Sequence, residues 1–123
     1  MESVTNSLTK NSQSKLVIQK YGGTSVGTLE RIKHVAKHIA DTVKRGDKVV
    51  AVISAMGDQT DELLAMAHAI SPSPPRRELD MLLTAGERIA MALVSIALNE
   101  IGQKAVSFSG ISKLIRRLWF AAT

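Results

Sequence analysis

The sequence predicts an α/β fold with a mainly parallel sheet. Two short apolar runs, KLVIQ at 15–19 and KVVAVIS at 48–54, have the composition of strands, and the second is apolar almost without interruption, as a strand covered on both faces must be. Between them lies a segment with three- and four-residue apolar spacing, so strand, helix and strand form one right-handed crossover unit. A further apolar helical stretch follows, and KAVSF at 104–108 reads as a third strand, which extends the alternation.

Each element has its own local grounds. After the first strand, Thr28 suits an N-cap, Glu30 suits a first helical turn, and Leu29, Ile32, Val35, Ala36, Ile39, Ala40 and Val43 make an amphipathic stripe that Gly46 stops. The loop AMGDQ follows the second strand, and a short helix over 60–70 places Leu63, Leu64, Met66, Ala67 and Ile70 on one side. SPSPPRR at 71–77 ends it, because proline cannot continue a helix and constrains the residue before it. A longer helix is predicted from 78 to about 101, with Leu79, Leu82, Leu83, Gly86, Ile89, Ala90, Leu93 and Ala97 buried and Gly102 as its stop.

Composition excludes several classes. The chain has 123 residues, enough for one modest core, and no cysteine, so disulfide and thiolate chemistry are absent. The polar leader 1–14 reads as disordered and has no signal-peptide core, which favours a cytoplasmic location. The longest apolar run, IAMALVSIAL at 89–98, is roughly half of a bilayer span and predicts no membrane role. Three of the sixteen Lys and Arg residues fall in 111–123, so the rest of the chain is not basic enough to predict a nucleic-acid partner.

The candidate chemistry begins with KYGGTSVG at 20–27. Gly22, Gly23 and Gly27 fit either a tight turn that permits positive φ or a phosphate cradle at the carboxyl end of a parallel strand, with Lys20 supplying a cation. The spacing is neither a Walker A loop nor a dinucleotide fingerprint. The second strand ends in SAMGDQTDE, which brings Ser54, Gly57 and Thr60 to the same sheet edge, although Asp58, Thr60 and Asp61 equally suit helix capping. Glu87 lies about 100° from the centre of its helix's apolar stripe, at the rim of the buried face. Asp80 is roughly 10 Å of helical rise away, too far for a shared-proton pair. His34 and His38 have zinc-helix spacing but lie opposite the apolar stripe without the glutamate of that motif, and His68 stands alone, so no metal site is predicted.

Three segments in order, KYGGTSVG, VISAMGDQTDELL and SPSPPRRELDMLLTAGERIAMAL, resemble the N-terminal part of aspartate kinases of the amino acid kinase fold, over about residues 16–110. The resemblance implies a partial three-layer αβα sandwich of the carbamate kinase-like type. It implies that Lys20, Tyr21, Gly22 and Gly23 line the ATP phosphate site, with Lys20 as the catalytic lysine, and that Ser54, Thr60 and Glu87 contact L-aspartate, Glu87 taking its ammonium. Mg²⁺ would be held through the phosphates. The implied reaction is phosphoryl transfer from ATP to the aspartate side chain, at the entry to lysine, threonine and methionine synthesis. After SFSG the sequence departs from the family pattern into ISKLIRRLWFAAT, a basic amphipathic tail over 111–123. The expectation is therefore residues 15–110 of a kinase domain, truncated and inactive alone. The alternative is a non-catalytic module that forms homo-oligomers or pairs with a full-length kinase subunit.

Overall fold

A computed structural model describes residues 13–109. The expected amphipathic tail at 111–123, and all but the last two residues of the expected leader, lie outside them. Strand β1, Leu16–Tyr21, pairs in parallel with β2, Lys48–Ile53, in a register running from Leu16 opposite Lys48 to Tyr21 opposite Ile53. The first strand is longer at its carboxyl end than the sequence predicts, so Lys20 and Tyr21 belong to the strand and not to the turn.

Helix α1, Leu29–Lys44, connects the two strands and starts where expected, with Thr28 Oγ1 accepting a hydrogen bond from the Arg31 N–H at 3.2 Å. Gly46, at φ 101°, reverses the chain into β2. The buried stripe of α1 includes Ile32, Val35, Ala36, Ile39 and Ala40, and His34 and His38 are exposed on the other side. One buried polar contact ties this helix to the sheet: Gln19 Nε2 donates to Thr42 Oγ1 at 3.0 Å, and that hydroxyl donates to the His38 carbonyl at 3.1 Å. Satisfied in this way, Thr42 can be buried without the cost of an unpaired hydroxyl.

Helices α2, Gln59–Ile70, and α3, Arg76–Glu100, flank the proline break, and Pro75 caps α3 through its carbonyl, which accepts from the Leu79 N–H at 3.0 Å. The apolar side expected for α2 is not a buried one: none of its residues is fully covered and Ile70 is 88% exposed. In α3 the buried residues are Gly86, Ala90, Val94 and Leu98, a stripe stepping by four that packs on α1. Ile89, expected inside, is half-exposed because the true stripe runs through Val94 and Leu98. Helix α3 is also longer and more apolar than the run 89–98 alone implied. Its 25 residues contain a window of mean hydropathy 1.6, enough by length and composition to cross a membrane. Its buried stripe nevertheless packs as that of a core helix does, contributing Ala90, Val94 and Leu98 to one cluster with α1 and Ile53.

Two features of the predicted sandwich differ among the described residues. The sheet has two strands, and the core lies against one of its faces, that of Tyr21, Val49, Ala51 and Ile53. The opposite face leaves Leu16 and Ile18 65% and 47% exposed. Residues 104–108 form no third strand. They run along α3 instead, held by side chains: Asn99 Nδ2 donates to the Ala105 carbonyl at 3.2 Å, and Ser107 Oγ lies 2.8 Å from Ser95 Oγ and 3.3 Å from the Met91 carbonyl. A run that reads as a strand becomes one only within hydrogen-bonding reach of a ladder edge, and here a cleft separates it from β2.

Candidate functional site

Both strands end at the same edge of the sheet, and the two loops that follow are joined backbone to backbone. The Gly57 N–H donates to the Gly23 carbonyl at 2.9 Å, while the Ser54 N–H donates to the Tyr21 carbonyl at 3.0 Å. A Cβ at Gly23 would meet the carbonyl oxygens of Ala55 and Gly57, each at 3.0 Å, so only glycine fits there without displacing main chain. This corrects the expected reason for the glycines. Gly22, Gly23 and Gly27 do not adopt positive φ; the one loop residue that does is Gly57, at 48°. Close approach, not backbone handedness, selects Gly23. Gly22 is different again, extended at φ −76° with open space around it.

Strand alternation then sorts the candidate residues. Lys20, opposite Val52 in the register, is exposed on the face away from the core, whereas Tyr21 faces α1. Lys20, Ser54 and Glu87 line one cleft of about 790 Å³ that wraps round the free edge of β2. Among the described residues, none of these three side chains makes a hydrogen bond or ion pair. The cleft therefore offers an ammonium, a hydroxyl and a carboxylate to a ligand of mixed charge. Thr60, exposed in the first turn of α2, does not line that cleft. Tyr21 lines a shallower hollow on the other side, with Thr24, Arg31 and His38 among its walls. Its hydroxyl donates to Gln19 Oε1 at 2.7 Å, its ring meets His38 edge-on at 6.4 Å, and burial pushes its phenol above the usual tyrosine range.

Sequence reasoning missed Gly86 as a device that positions the site. A Cβ there would meet Leu63 Cδ1 at 3.2 Å and both Ala55 Cβ and Gln59 Oε1 at 3.3 Å, so this glycine lets α3 close on the loop after β2 and brings Glu87 to the cleft. It also missed Gln59, whose Oε1 is buried with no hydrogen-bond donor. No local signal marks that glutamine, because its burial comes from α3. Among the described residues no cluster of three His, Cys, Asp or Glu side chains could hold a metal ion.

The comparisons with known proteins agree with this geometry. The model of the amino acid kinase family matches residues 15–120. Aspartokinases of Mycolicibacterium smegmatis and Corynebacterium glutamicum are each 59% identical over 95 residues, which cover 77% of this chain and 23% of theirs. The crystal structure of aspartate kinase from Synechocystis superposes with a TM-score of 0.76 at 55% identity, over 78% of this chain and 16% of that one. The chain thus spans about a quarter of the length of the curated relatives it matches. With its parallel strands, crossover helix and glycine-joined loops, it belongs to the amino acid kinase family.

Proposed function

We propose that this chain carries the strand-end half of an aspartate kinase site, which binds the phosphates of ATP and the ammonium end of L-aspartate but does not turn over alone. The observation that carries the reading is the convergence of Lys20, Ser54 and Glu87 on one cleft beside the glycine junction. In this reading the side-chain carboxylate of aspartate attacks the γ-phosphorus, the bond to the bridging oxygen breaks, and ADP leaves with 4-phospho-L-aspartate as product. Lys20 stabilises the charge that develops on the transferring group, and Glu87 holds the α-ammonium so that the carboxylate is aligned. Ser54 completes the aspartate contacts within the cleft, and Thr60, outside it in the adjoining helical turn, would join them only if that turn moves toward the bound ligand. Ser25 and Gly27 spend their amides on the Gly22 and Thr24 carbonyls, so the phosphates fall to the amides of Gly22 and Gly23. Tyr21 acts here through its main chain and through the packing of its ring. Mg²⁺ would be held through the phosphates and would supply charge neutralisation there. The reaction belongs in the cytoplasm, at the entry to lysine, threonine and methionine synthesis.

The test is an ATP-dependent aspartyl hydroxamate assay on the full chain, alone and co-expressed with the part of the M. smegmatis aspartokinase that follows its matched stretch. The expected result is no turnover alone and turnover in the pair, reduced about 10²-fold or more by Lys20→Ala in this chain. Turnover by the chain alone, abolished by Lys20→Ala, would overturn the claim of incompleteness. Paired activity indifferent to that substitution would overturn the role of the lysine.

A further inference from the structure

The hollow beside Tyr21 lies apart from the cleft and carries charge of one sign. Its volume is about 430 Å³, and its walls are Tyr21 of β1, Thr24 and Ser25 of the single 3₁₀ turn Gly23–Val26, and Arg31, His34 and His38 of α1. Positions 31, 34 and 38 step by three and four, so they stand in one row on the helix, with roughly 4.5 and 6 Å of rise between neighbours. No carboxylate lines the hollow. On the same helix, Glu30 is paired with Lys33 at 3.9 Å, and Asp41 lies a turn beyond His38, outside the walls. The helix as a whole holds four Lys and Arg residues, with Lys37 near His34, against those two carboxylates. The other elements packed on this side bring no opposing charge: the 3₁₀ turn reads GTSV, and Gln19 of β1 spends its amide nitrogen on Thr42 and its oxygen on the Tyr21 hydroxyl.

We infer that this hollow binds a phosphoryl group, carried as a phosphate monoester by a small metabolite, at a site separate from the Lys20 cleft. Arg31 is already aimed: its Nη1 donates to the Thr24 carbonyl at 2.6 Å, which fixes the guanidinium over the turn while the rest of its planar donor fork stays unspent among the described residues. The imidazoles of His34 and His38 and the Ser25 hydroxyl likewise make no hydrogen bond among the described residues. The Tyr21 ring, edge-on to His38 at 6.4 Å, gives that imidazole a fixed neighbour. A tetrahedral dianion presents acceptor oxygens on several sides, which suits donors that arrive from the turn and from two successive turns of the helix. A planar carboxylate would engage the guanidinium and leave the rest unused. Buried Val35 and the Tyr21 ring supply apolar wall for the carbon part of the ligand. Two imidazoles make the charge of the site depend on pH, because an imidazole becomes a cation below the ordinary histidine range, about 6.5. None of this rests on the kinase reading, since neither Lys20 nor Glu87 lines the hollow.

The test titrates sodium sulfate into the labelled full chain, in Mg²⁺-free buffer at constant ionic strength, and follows the backbone amides and the histidine ring signals. Sulfate has the shape of a phosphoryl group and keeps both charges across neutral pH, so a change between pH 6 and pH 8 reports the protein and not the ligand. The expected result is saturable shifts at Ser25, Arg31, His34 and His38, with an affinity that falls about fivefold or more from pH 6 to pH 8. Arg31→Gln is expected to weaken binding about tenfold or more. His34→Gln, at an exposed position, guards against a loosened turn in the arginine variant and is expected to cost about tenfold at pH 6. Lys37→Gln, an exposed cation outside the walls, should change the affinity by less than about twofold, and Lys20→Met should leave it as it was. Phenyl phosphate, a monoester, is expected to displace sulfate and to add shifts at Tyr21 and Val35. The inference is overturned by shifts that never saturate, by an affinity indifferent to pH, or by a loss in Lys37→Gln as large as in His34→Gln, which would mean diffuse screening. It is equally overturned by loss of the shifts in Lys20→Met, or by failure of phenyl phosphate to enter the hollow. Because the readout is binding at His34 and His38, these results stand apart from the hydroxamate assay.

Discussion

The glycine junction and the cleft beside it are built from the same two strands, yet one is closed and the other open. At the junction, main chain meets main chain: Gly23 and Gly57 are hydrogen bonded, and a single added carbon would strike two carbonyl oxygens. In the cleft, an ammonium, a carboxylate and a strand edge stand without partners among the described residues. Side by side, they separate the contacts the chain makes with itself from the groups it leaves open among the described residues. Contacts between the loops of adjacent strands are complete, whereas the cleft side chains and the outer edge of β2 have no partner among the described residues.

Substitutions separate the two regions most sharply. Gly23→Ala is expected to destabilise by about 1–3 kcal/mol, since neither carbonyl can move without its loop. Its neighbour provides the contrast: Gly22→Ala has open space and ordinary φ, and is expected to be neutral or to stabilise by about 0.4–1 kcal/mol. Val106→Lys, on the open side, should fall within roughly 0.5 kcal/mol of the parent. Chemical denaturation of the three variants checks the order, and an equal loss for Gly22 and Gly23 would erase the distinction between them.

A smaller effect is expected between the regions, at Gln59. Its buried acceptor lacks a donor, so Gln59→Met should be neutral or stabilise by about 1 kcal/mol, whereas a clear loss would mean that the carbonyl has a partner in solution. The smallest effect concerns pH. Burial raises the Tyr21 phenol, so the folded state holds that proton more tightly than the unfolded chain does. The associated stability is present below the unfolded value near pH 10 and is lost as pH rises through the folded one. Alkaline melts should therefore show a fall that Tyr21→Phe flattens.

Much of this was legible in the sequence wherever the cause is local. The Thr28 cap, the Gly46 and Gly102 reversals and the proline break each depend on a few adjacent residues, and each stands where expected. The role of Gly23 was not legible, because it arises from Ala55 and Gly57, more than thirty positions away. For the same reason Ile89 was misplaced and Val94 overlooked: both readings of α3 satisfy helical spacing, and only the position of α1 selects between them. The third strand failed for a converse reason, since its residues read as a strand but lie across a cleft from the nearest ladder edge. Of the site, the resemblance put Lys20 at the phosphates and Ser54, Thr60 and Glu87 at aspartate; Lys20, Ser54 and Glu87 line one cleft, whereas Thr60 lies outside it and strand alternation sends Tyr21 to the other face.

The proposal that Lys20 and the glycine junction together receive a nucleotide's phosphates turns on one titration. Amide spectra of the labelled full chain titrated with Mg·ATP test it most directly. The prediction is that shifts concentrate on Gly22, Gly23 and the loop after β2, and vanish in Lys20→Met while the spectrum stays folded. Shifts confined to the hollow beside Tyr21, Arg31 and His38, or unchanged by the loss of the lysine, would contradict it.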